Sequence, residues 1–323
     1  MKTFFDLLIA ILIIITALPA VILLYSRTKR KHSWEKKNKK TSLTIAVILL
    51  LVTLTIVYGS FVEPNIIITN KYEVDLPNIE MPITIAFMSD LQVGKYKQTD
   101  WIKYVVERTL ELEPDIVLIG GDQVDNEIFS PEEFNYLKPL ENLAEQIPTY
   151  TVHGNHEYGL SCYHGIEEEC QYAGDVSNET KHAMEKLGIK YLVNNLEKIT
   201  VDSSSFYLFG GDSYWAKKLD YSILETRKED IPTITLIHNP SFQFSNYPTD
   251  IDLALSGHTH GGQIRLPVVG PIGLIDNLLQ KKYYQGLHTL DSGTKMLVTS
   301  GVGETGTRAR LFNPPEIMLL TIK

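Results

Sequence analysis

Cysteine is almost missing from this chain, with only Cys162 and Cys170 among 323 residues. Two thiols in one short polar stretch make no zinc-finger pattern, and any metal held here must be held by oxygen and imidazole instead. No Gly-Lys-Ser/Thr follows the glycines at Gly301 to Gly306, which rules out a P-loop and the nucleotide-driven motor chemistry that goes with it. No Gly-x-Ser-x-Gly elbow is present either, so the serine nucleophile of a hydrolase elbow is excluded. Internal repeats, low-complexity linkers and Pro/Gly/Ser-rich hinges are also lacking.

Charge is absent from two long stretches, Leu7 to Tyr25 and Ser42 to Val62. Each is long enough to cross about 30 Å of hydrocarbon as a helix. A signal peptide is the weaker reading of the first, because only Lys2 stands before it and a basic loop, not a cleavage site, follows. That loop, Ser26 to Thr41, carries eight lysines and arginines against the single acid Glu35. A short loop so rich in Lys and Arg stays on the cytoplasmic side. Being pinned between two apolar spans, it reads less well as a nucleic-acid-binding arm. The expectation is a membrane anchor over 1–62, with helices near 7–25 and 42–62 and a cytoplasmic loop 26–41. An extracytoplasmic domain over 63–323 would follow.

The whole chain carries a formal charge of −9 even with that basic loop, so the remainder is more acidic still. An acidic domain attracts divalent cations, repels polyanions such as nucleic acid and stands off an anionic membrane surface. Outside the cytoplasm, Cys162 and Cys170 can close a small loop as a disulfide.

From Asn65 onward, short β-type runs alternate with helical ones. Ile83 to Met88, Asp115 to Ile119 and Thr149 to Val152 read as strands, as does Asn65 to Thr69. The apolar spacing of Ile102, Val105, Val106, Leu110 and Leu112 predicts a helix ended by Pro114. Pro131 to Gln146 reads as helical with a break at Pro139. This order predicts right-handed crossovers and a largely parallel sheet. The second half is richer in strands, including Thr233 to Ile237 and Ile251 to Leu255.

Chemistry-bearing residues gather where the apolar runs stop. The stretches are Ser89-Asp90-Leu91-Gln92, Gly121-Asp122-Gln123-Val124-Asp125, Gly154-Asn155-His156-Glu157, Ile237-His238-Asn239 and Gly257-His258-Thr259-His260-Gly261. Carboxylates, amides and imidazoles suit hard to borderline divalent cations, and water activated by such cations is the nucleophile left to the sequence.

In this order the five stretches resemble the calcineurin-like metallophosphoesterase superfamily, whose pattern is Asp-x-His, Gly-Asp-x-x-Asp, Gly-Asn-His-Asp/Glu, a lone His and Gly-His-x-His. The resemblance covers roughly Asn65 to Lys323. Within the superfamily the chain is similar to membrane-anchored or exported bacterial phosphodiesterases, through Gly261-Gly262-Gln263-Ile264-Arg265-Leu266-Pro267 and Leu311-Phe312-Asn313-Pro314-Pro315-Glu316. It implies an α/β fold, a four-layer αββα sandwich of two mixed sheets, preceded here by the transmembrane helical hairpin. It also implies two divalent metal ions per chain and a phosphoester substrate, with a cell-envelope component as the expected source. Asp122 would bridge the metals, with Asp90, Gln92 and His260 completing one site and Asn155, His238 and His258 the other. His156 would be the leaving-group acid and Asp125 the partner that orients its ring.

Gln92 departs from the family's histidine. An amide oxygen is a harder, weaker ligand than imidazole, which favours Mn²⁺ or Mg²⁺ over Zn²⁺ or Fe. The implied activity is phosphodiester hydrolysis. Phosphomonoesterase and pyrophosphatase remain alternatives on the same ligands, as does a phosphate-ligand sensor weakened by Gln92. Arg308 or Arg310 is a candidate for a forked phosphate contact. His153 is expected to be structural, and His164, His182 and His288 solvated. Glu157 is left between loop support, contact with metal-bound water and a salt bridge. Tyr163, Tyr283 and Tyr284 line a pocket or cover the core, and Tyr158 to Ser177 and Gly270 to Gly286 carry no readable motif.

Overall fold

The computed structural model describes residues 2–126, 130–162, 170–228, 230–273 and 275–323. Tyr163 and His164 lie outside them, as do the side chains of Cys162 and Cys170. The chain opens with α1 (Lys2–Lys29), a short α2 (Trp34–Lys37) and α3 (Lys39–Val57). Both long helices outrun the charge-free stretches on the basic side. A charge-free run measures apolar thickness, whereas Lys and Arg are themselves good helix formers and extend the helix beyond it.

Helices α1 and α3 pack as a hairpin. Ala20 and Ala46 are fully buried in it, small enough to let the backbones approach, and Thr53 Oγ1 donates to Thr16 Oγ1 across it at 2.8 Å. The outer faces leave Leu7, Ile11, Leu51 and Leu54 exposed. Both helices are long and apolar enough to cross a membrane.

The first half of the remaining chain runs β1 (Ile68–Val74), β2 (Ile83–Met88), α4 (Thr99–Leu110), β3 (Ile116–Ile119), α5 (Leu140–Ala144), β4 (Thr149–Thr151), β5 (Leu160–Cys162), β6 (Cys170–Tyr172), α6 (Ser177–Lys186) and β7 (Lys190–Tyr191). The second half supplies β8 (Asn195–Val201), β9 (Ser204–Gly210), β10 (Thr233–Leu236), β11 (Leu253–Ser256), β12 (Arg265–Leu266), β13 (Gly270–Pro271), β14 (Gly286–Thr289), β15 (Lys295–Val298) and β16 (Glu316–Ile322). Two six-stranded sheets result, ordered β1-β16-β2-β3-β4-β7 and β14-β15-β11-β10-β9-β8. Strands β2, β3, β4 and β7 are parallel, as are β9, β10, β11 and β15, while β16 against β2, β14 against β15 and β8 against β9 are antiparallel. Both sheets are therefore mixed.

Alternation along β2 shows how the layers form. Ile83, Ile85 and Phe87 point into the core between the sheets with Leu236, Leu255 and Leu297, while Ala86 and Met88 face Ile102, Val105 and Val106 of α4. A strand buried on both sides calls for apolar residues on both faces, which β2 has at every position except the part-buried Thr84. The outer cover of the second sheet is not α-helical. Leu224 and Phe242, from 3₁₀ turns at Ser222–Thr226 and Pro240–Phe244, pack there on Phe209 and Val298.

Two local expectations are corrected. The segment Pro131–Leu137 is a 3₁₀ turn and only α5 is α-helical, because Pro139 has no N–H to carry a helix across the gap. Asn65 belongs to the 3₁₀ turn Glu63–Asn65, and β1 starts later, as a half-exposed edge strand whose charged residues disguise it. In the β5–β6 pair, Cys162 and Cys170 are opposite one another along the backbone.

The hairpin is fastened to the sheets by buried groups. Asn313 N–H donates to Glu63 Oε1 at 2.5 Å, Arg310 N–H to the Gly59 carbonyl at 2.8 Å, and Lys97 Nζ to the Pro64 carbonyl at 2.7 Å. Lys97 also pairs with Glu304 at 3.4 Å and lies 3.5 Å over the Trp101 ring, where burial pushes its pKa down to about 8. Replacing Glu63 with Ala strands the buried Asn313 N–H. This variant should lose about 1–3 kcal/mol in denaturant unfolding of the detergent-solubilised chain.

Candidate metal centre

Every chemistry-bearing stretch stands at the carboxyl end of a parallel strand. Asp90 and Gln92 follow β2, Asp122 and Asp125 follow β3, Asn155 and His156 follow β4, His238 follows β10, and His258 and His260 follow β11. Carboxyl ends of strands are where such sheets leave a crevice, and stacking the two sheets turns both crevices toward one place. Asp122 Oδ2, from the first sheet, lies 3.0 Å from His238 Nε2 of the second. Asp90 Oδ1 is 3.3 Å from His260 Nε2 and 3.9 Å from His238 Nε2. Ligand atoms of Asp122, His238 and His258 can all lie within 4.8 Å of one another.

The donor set fits a cation on grounds of hydrogen bonding. His238 Nε2 and both amide atoms of Gln92 are buried without a hydrogen-bond partner. Buried polar atoms are rarely left so, and the 3.0 Å approach of His238 to Asp122 is misaligned for a hydrogen bond. Two atoms each about 2.1 Å from a shared cation, at a right angle, would be about 3.0 Å apart. The remaining atoms are used to aim these groups. His238 Nδ1 is 2.6 Å from the Gly120 carbonyl, and the Asn155 amide donates to the Leu160 carbonyl at 2.6 Å, which leaves Asn155 Oδ1 to face Asn239 and the cavity. The His258 N–H donates to both Asp90 oxygens at 3.2 and 3.1 Å.

The backbone is strained at these positions. Asp90, Gln92, Asp122, His258 and His260 all have positive φ, from 42° to 68°. Non-glycine residues adopt the left-handed region at a cost, and clustered outliers mark a site held in shape by its surroundings. Glu157 supplies part of that support. Its carboxylate accepts from the N–H groups of Asp122, Gln123, Val124 and Gly154 at 3.1, 2.7, 3.4 and 2.6 Å, so loop support is its role among the three readings. Burial and the nearby Asp122 push its pKa up to about 7.

Electrostatics follow from burying acids beside imidazoles. Burial drives Asp90 up to about 6, with Asp122 adding to the rise and His238 opposing it. For Asp122, burial is outweighed by His238 and His156, which hold it below the usual carboxylate range. Burial lowers His238, but Asp122 more than compensates and raises it to about 9. A proton on His238 therefore competes with a cation for the same carboxylate. His258 and His260 are driven well below the usual range, chiefly by burial, and stay neutral with lone pairs available.

Residues 83–262 match the calcineurin-like phosphoesterase family, a span that holds all seven candidate ligands. The chain belongs to that family. This calcineurin-like phosphoesterase is 34% identical over 272 residues to an uncharacterized metallophosphoesterase of Helicobacter pylori, covering 82% of this chain and 65% of the relative. It is 30% identical over 246 residues to phosphodiesterase YaeI of Escherichia coli, covering 75% and 82%. To a bovine transmembrane protein with metallophosphoesterase domain it is 29% identical over 306 residues, covering 89% and 64%. The chain thus spans about two thirds of the length of the Helicobacter relative. Calcineurin-like phosphoesterases are dimetal hydrolases of phosphoester bonds, and the cluster at Asp122, His238 and His258 is a possible metal-binding group.

His156 is half-buried, with Nδ1 2.5 Å from the main-chain carbonyl of Asp125 and Nε2 3.9 Å from Asp122 Oδ2. Asp125 thus meets the ring through its main-chain carbonyl, an atom the sequence reading did not specify. The two arginines stand elsewhere than expected. Arg310 is fully buried and donates to the carbonyls of Ser300, Gly301, Gly303 and Asn313, with Nη2 3.5 Å from His260 Nδ1. It braces the metal-site loops, and those main-chain partners take up the fork that a phosphate would need. Arg308 reaches Asp6 of α1 at 3.7 Å and lies over the Phe61 and Tyr96 rings, at the junction with the hairpin.

His153 is structural, buried 2.8 Å from the Tyr191 hydroxyl, and burial lowers it to about 3. His182 is exposed as expected, whereas His288 is half-buried against Tyr283, its Nε2 2.9 Å from the Gln285 carbonyl. Tyr284 is fully buried, and Tyr283 packs on the core of the second sheet. Sequence reasoning gave no role to Asn239, which holds Asn155, or to Trp215, whose ring packs edge-on at 4.2 Å from that of His258. Adjacency to a ligand was the only signal for Asn239, and nothing local marks Trp215.

A methyl group at Gly257 would come within 2.0 Å of Ser89 Oγ and 2.6 Å of Asp90 Oδ2. Gly257→Ala should displace Asp90 and cost about 1–3 kcal/mol of stability. Metal analysis of the purified variant should show fewer ions per chain than the parent protein.

Proposed function

We propose that this chain is a membrane-tethered phosphodiesterase with an anchor over 1–62 and a catalytic domain over 63–323. Its substrate would be a phosphodiester of the cell envelope. The observation that carries this reading is the convergence of Asp90, Asp122, His238, His258 and His260, with the partnerless His238 Nε2 turned toward both acids. Asp122 would be shared by two cations. Asp90, Gln92 and His260 would hold one, and Asn155, His238 and His258 the other. When bound, two such cations draw charge from phosphoryl oxygens and lower the pKa of water, so that hydroxide is available near neutral pH.

The chain's own residues complete the chemistry. With Nδ1 of His156 facing the Asp125 carbonyl, Nε2 is the atom left to serve the leaving oxygen. Burial disfavours its charged form, but Asp122 and Asp125 outweigh that and raise its pKa, which favours the protonated ring a leaving-group acid needs. Gln92 offers oxygen in place of imidazole, which supports Mn²⁺ or Mg²⁺ over Zn²⁺ or Fe.

The test is hydrolysis of an aryl phosphodiester by the full chain in detergent with Mn²⁺, beside an aryl monoester and pyrophosphate. Diester turnover should exceed the other two. His156→Ala should lower kcat by about 10²–10⁴-fold, the range of a lost general acid, and Asp122→Asn should abolish turnover. Binding of a phosphate ligand with no turnover of any of the three would favour a sensor instead.

Orientation has a separate test. The basic loop between α1 and α3 supports an extracytoplasmic catalytic domain. Protease added to intact spheroplasts should cleave the domain and spare the 26–41 loop, and the reverse pattern would overturn the topology.

A further inference from the structure

Outside the ligands themselves, one buried acid points toward the cluster. Asp276 is fully buried, and its Oδ2 has no hydrogen-bond partner. It lies 4.0 Å from His258 Nε2, which is also buried and partnerless. The other oxygen of Asp276 is occupied, accepting the Leu278 N–H at 2.9 Å. Ser241 also lies beside the carboxylate, but Oδ2 and His258 Nε2 face one another across a short gap without a well-formed hydrogen bond, and they call for a common explanation.

Asp276 is held there deliberately. The Tyr284 hydroxyl donates to the Asp276 carbonyl at 2.9 Å and accepts from the Asp276 and Ile275 N–H groups, each at 3.2 Å. The Tyr284 carbonyl in turn accepts from Thr259 Oγ1 at 2.6 Å. Tyr284 therefore ties Asp276 to the residue next to His258, so the loop carrying the acid and the loop carrying the imidazole share one anchor. Trp215 closes another side of the His258 ring, edge-on at 4.2 Å between centroids.

We propose that Asp276 is a positioning residue for His258. Its carboxylate accepts a proton-bearing Nε2, which fixes the tautomer and turns the Nδ1 lone pair toward the cation shared with His238 and Asp122. Carboxylates that hold the far nitrogen of a metal-ligating histidine set ring orientation and raise its basicity. Here the added negative charge would also strengthen the site opposite the one that Gln92 weakens. The inference rests on the two-metal reading above but assigns a role to a residue outside the five motifs.

The experiment titrates Mn²⁺ into the metal-free full chain in detergent by calorimetry, for the parent protein, Asp276→Ala, Asp276→Asn and Asp276→Glu, and records thermal unfolding of each without metal. The parent should bind two ions. Asp276→Ala should weaken one of them by about 10–100-fold, the usual effect of removing such a partner, and leave the other unchanged. Asp276→Asn, which keeps an acceptor without charge, should fall between the two, and Asp276→Glu should recover part of the loss. Metal-free unfolding of Asp276→Asn should match the parent. Unchanged affinities in Asp276→Ala and Asp276→Asn would overturn the positioning role. So would weakened binding that tracks an equal loss of metal-free stability in every variant. A parent protein that binds no ion would instead sink the two-metal reading, and this inference with it.

Discussion

Burying Asp90 and Asp122 within reach of the same imidazole is the constraint on which the rest depends. His238 Nε2 stands 3.0 Å from one acid and 3.9 Å from the other. Two carboxylates taken out of water this way repel one another and lose hydration, and only positive charge between them relieves both costs. The surrounding structure is organised to keep the arrangement from relaxing. Backbone at Asp90, Gln92, Asp122, His258 and His260 is pinned in the left-handed region, and Glu157 ties down the N–H groups of Asp122 and Gly154 that would otherwise release it. Strain at the ligands is thus balanced by buried hydrogen bonds one layer out.

The same logic joins the hairpin to the site. Arg310 braces Gly301 and Gly303 while its own N–H is held by Gly59, at the end of the second long helix. Lys97, five residues after Gln92, is held by Pro64 just beyond that helix. At the same open end of the hairpin, on its first helix, Asp6 accepts from Tyr96 at 2.5 Å and pairs with Arg308 at 3.7 Å. The loop after Gln92 and the segment that backs His260 are therefore both leaned against the hairpin. A chain starting at Glu63 would lose the Gly59 and Asp6 contacts, so the helical hairpin is part of the support of the site.

Legibility in the sequence varied with the kind of information each residue carries. Strand β2 was readable because Ile83 to Met88 is apolar at every position but Thr84, and the motif after it because the run stops at Ser89 and Asp90. Edge strand β1 was misplaced by its charged residues, and the break at Pro139 was legible while the 3₁₀ winding of 131–137 was not. Asp125 was paired with His156 without naming an atom, and the main-chain carbonyl that meets the ring leaves no mark in a sequence. Arg310 looked like a phosphate ligand because arginine near glycines fits one. Its burial among carbonyls is a property of the packed loops.

The sequence by itself determined which atoms can act: carboxylates, amides and imidazoles at strand ends, no usable thiolate, two apolar spans and a basic turn between them. These follow from local chemistry and periodicity, which short stretches carry whole. Tertiary structure decided which of those atoms meet. Asp122 and His238 are more than a hundred residues apart and touch only because two sheets stack with their carboxyl ends together. Asp276 acquires meaning only through Tyr284 and the gap it leaves beside His258. Contact across that separation is set by how the layers pack, and no local pattern encodes it.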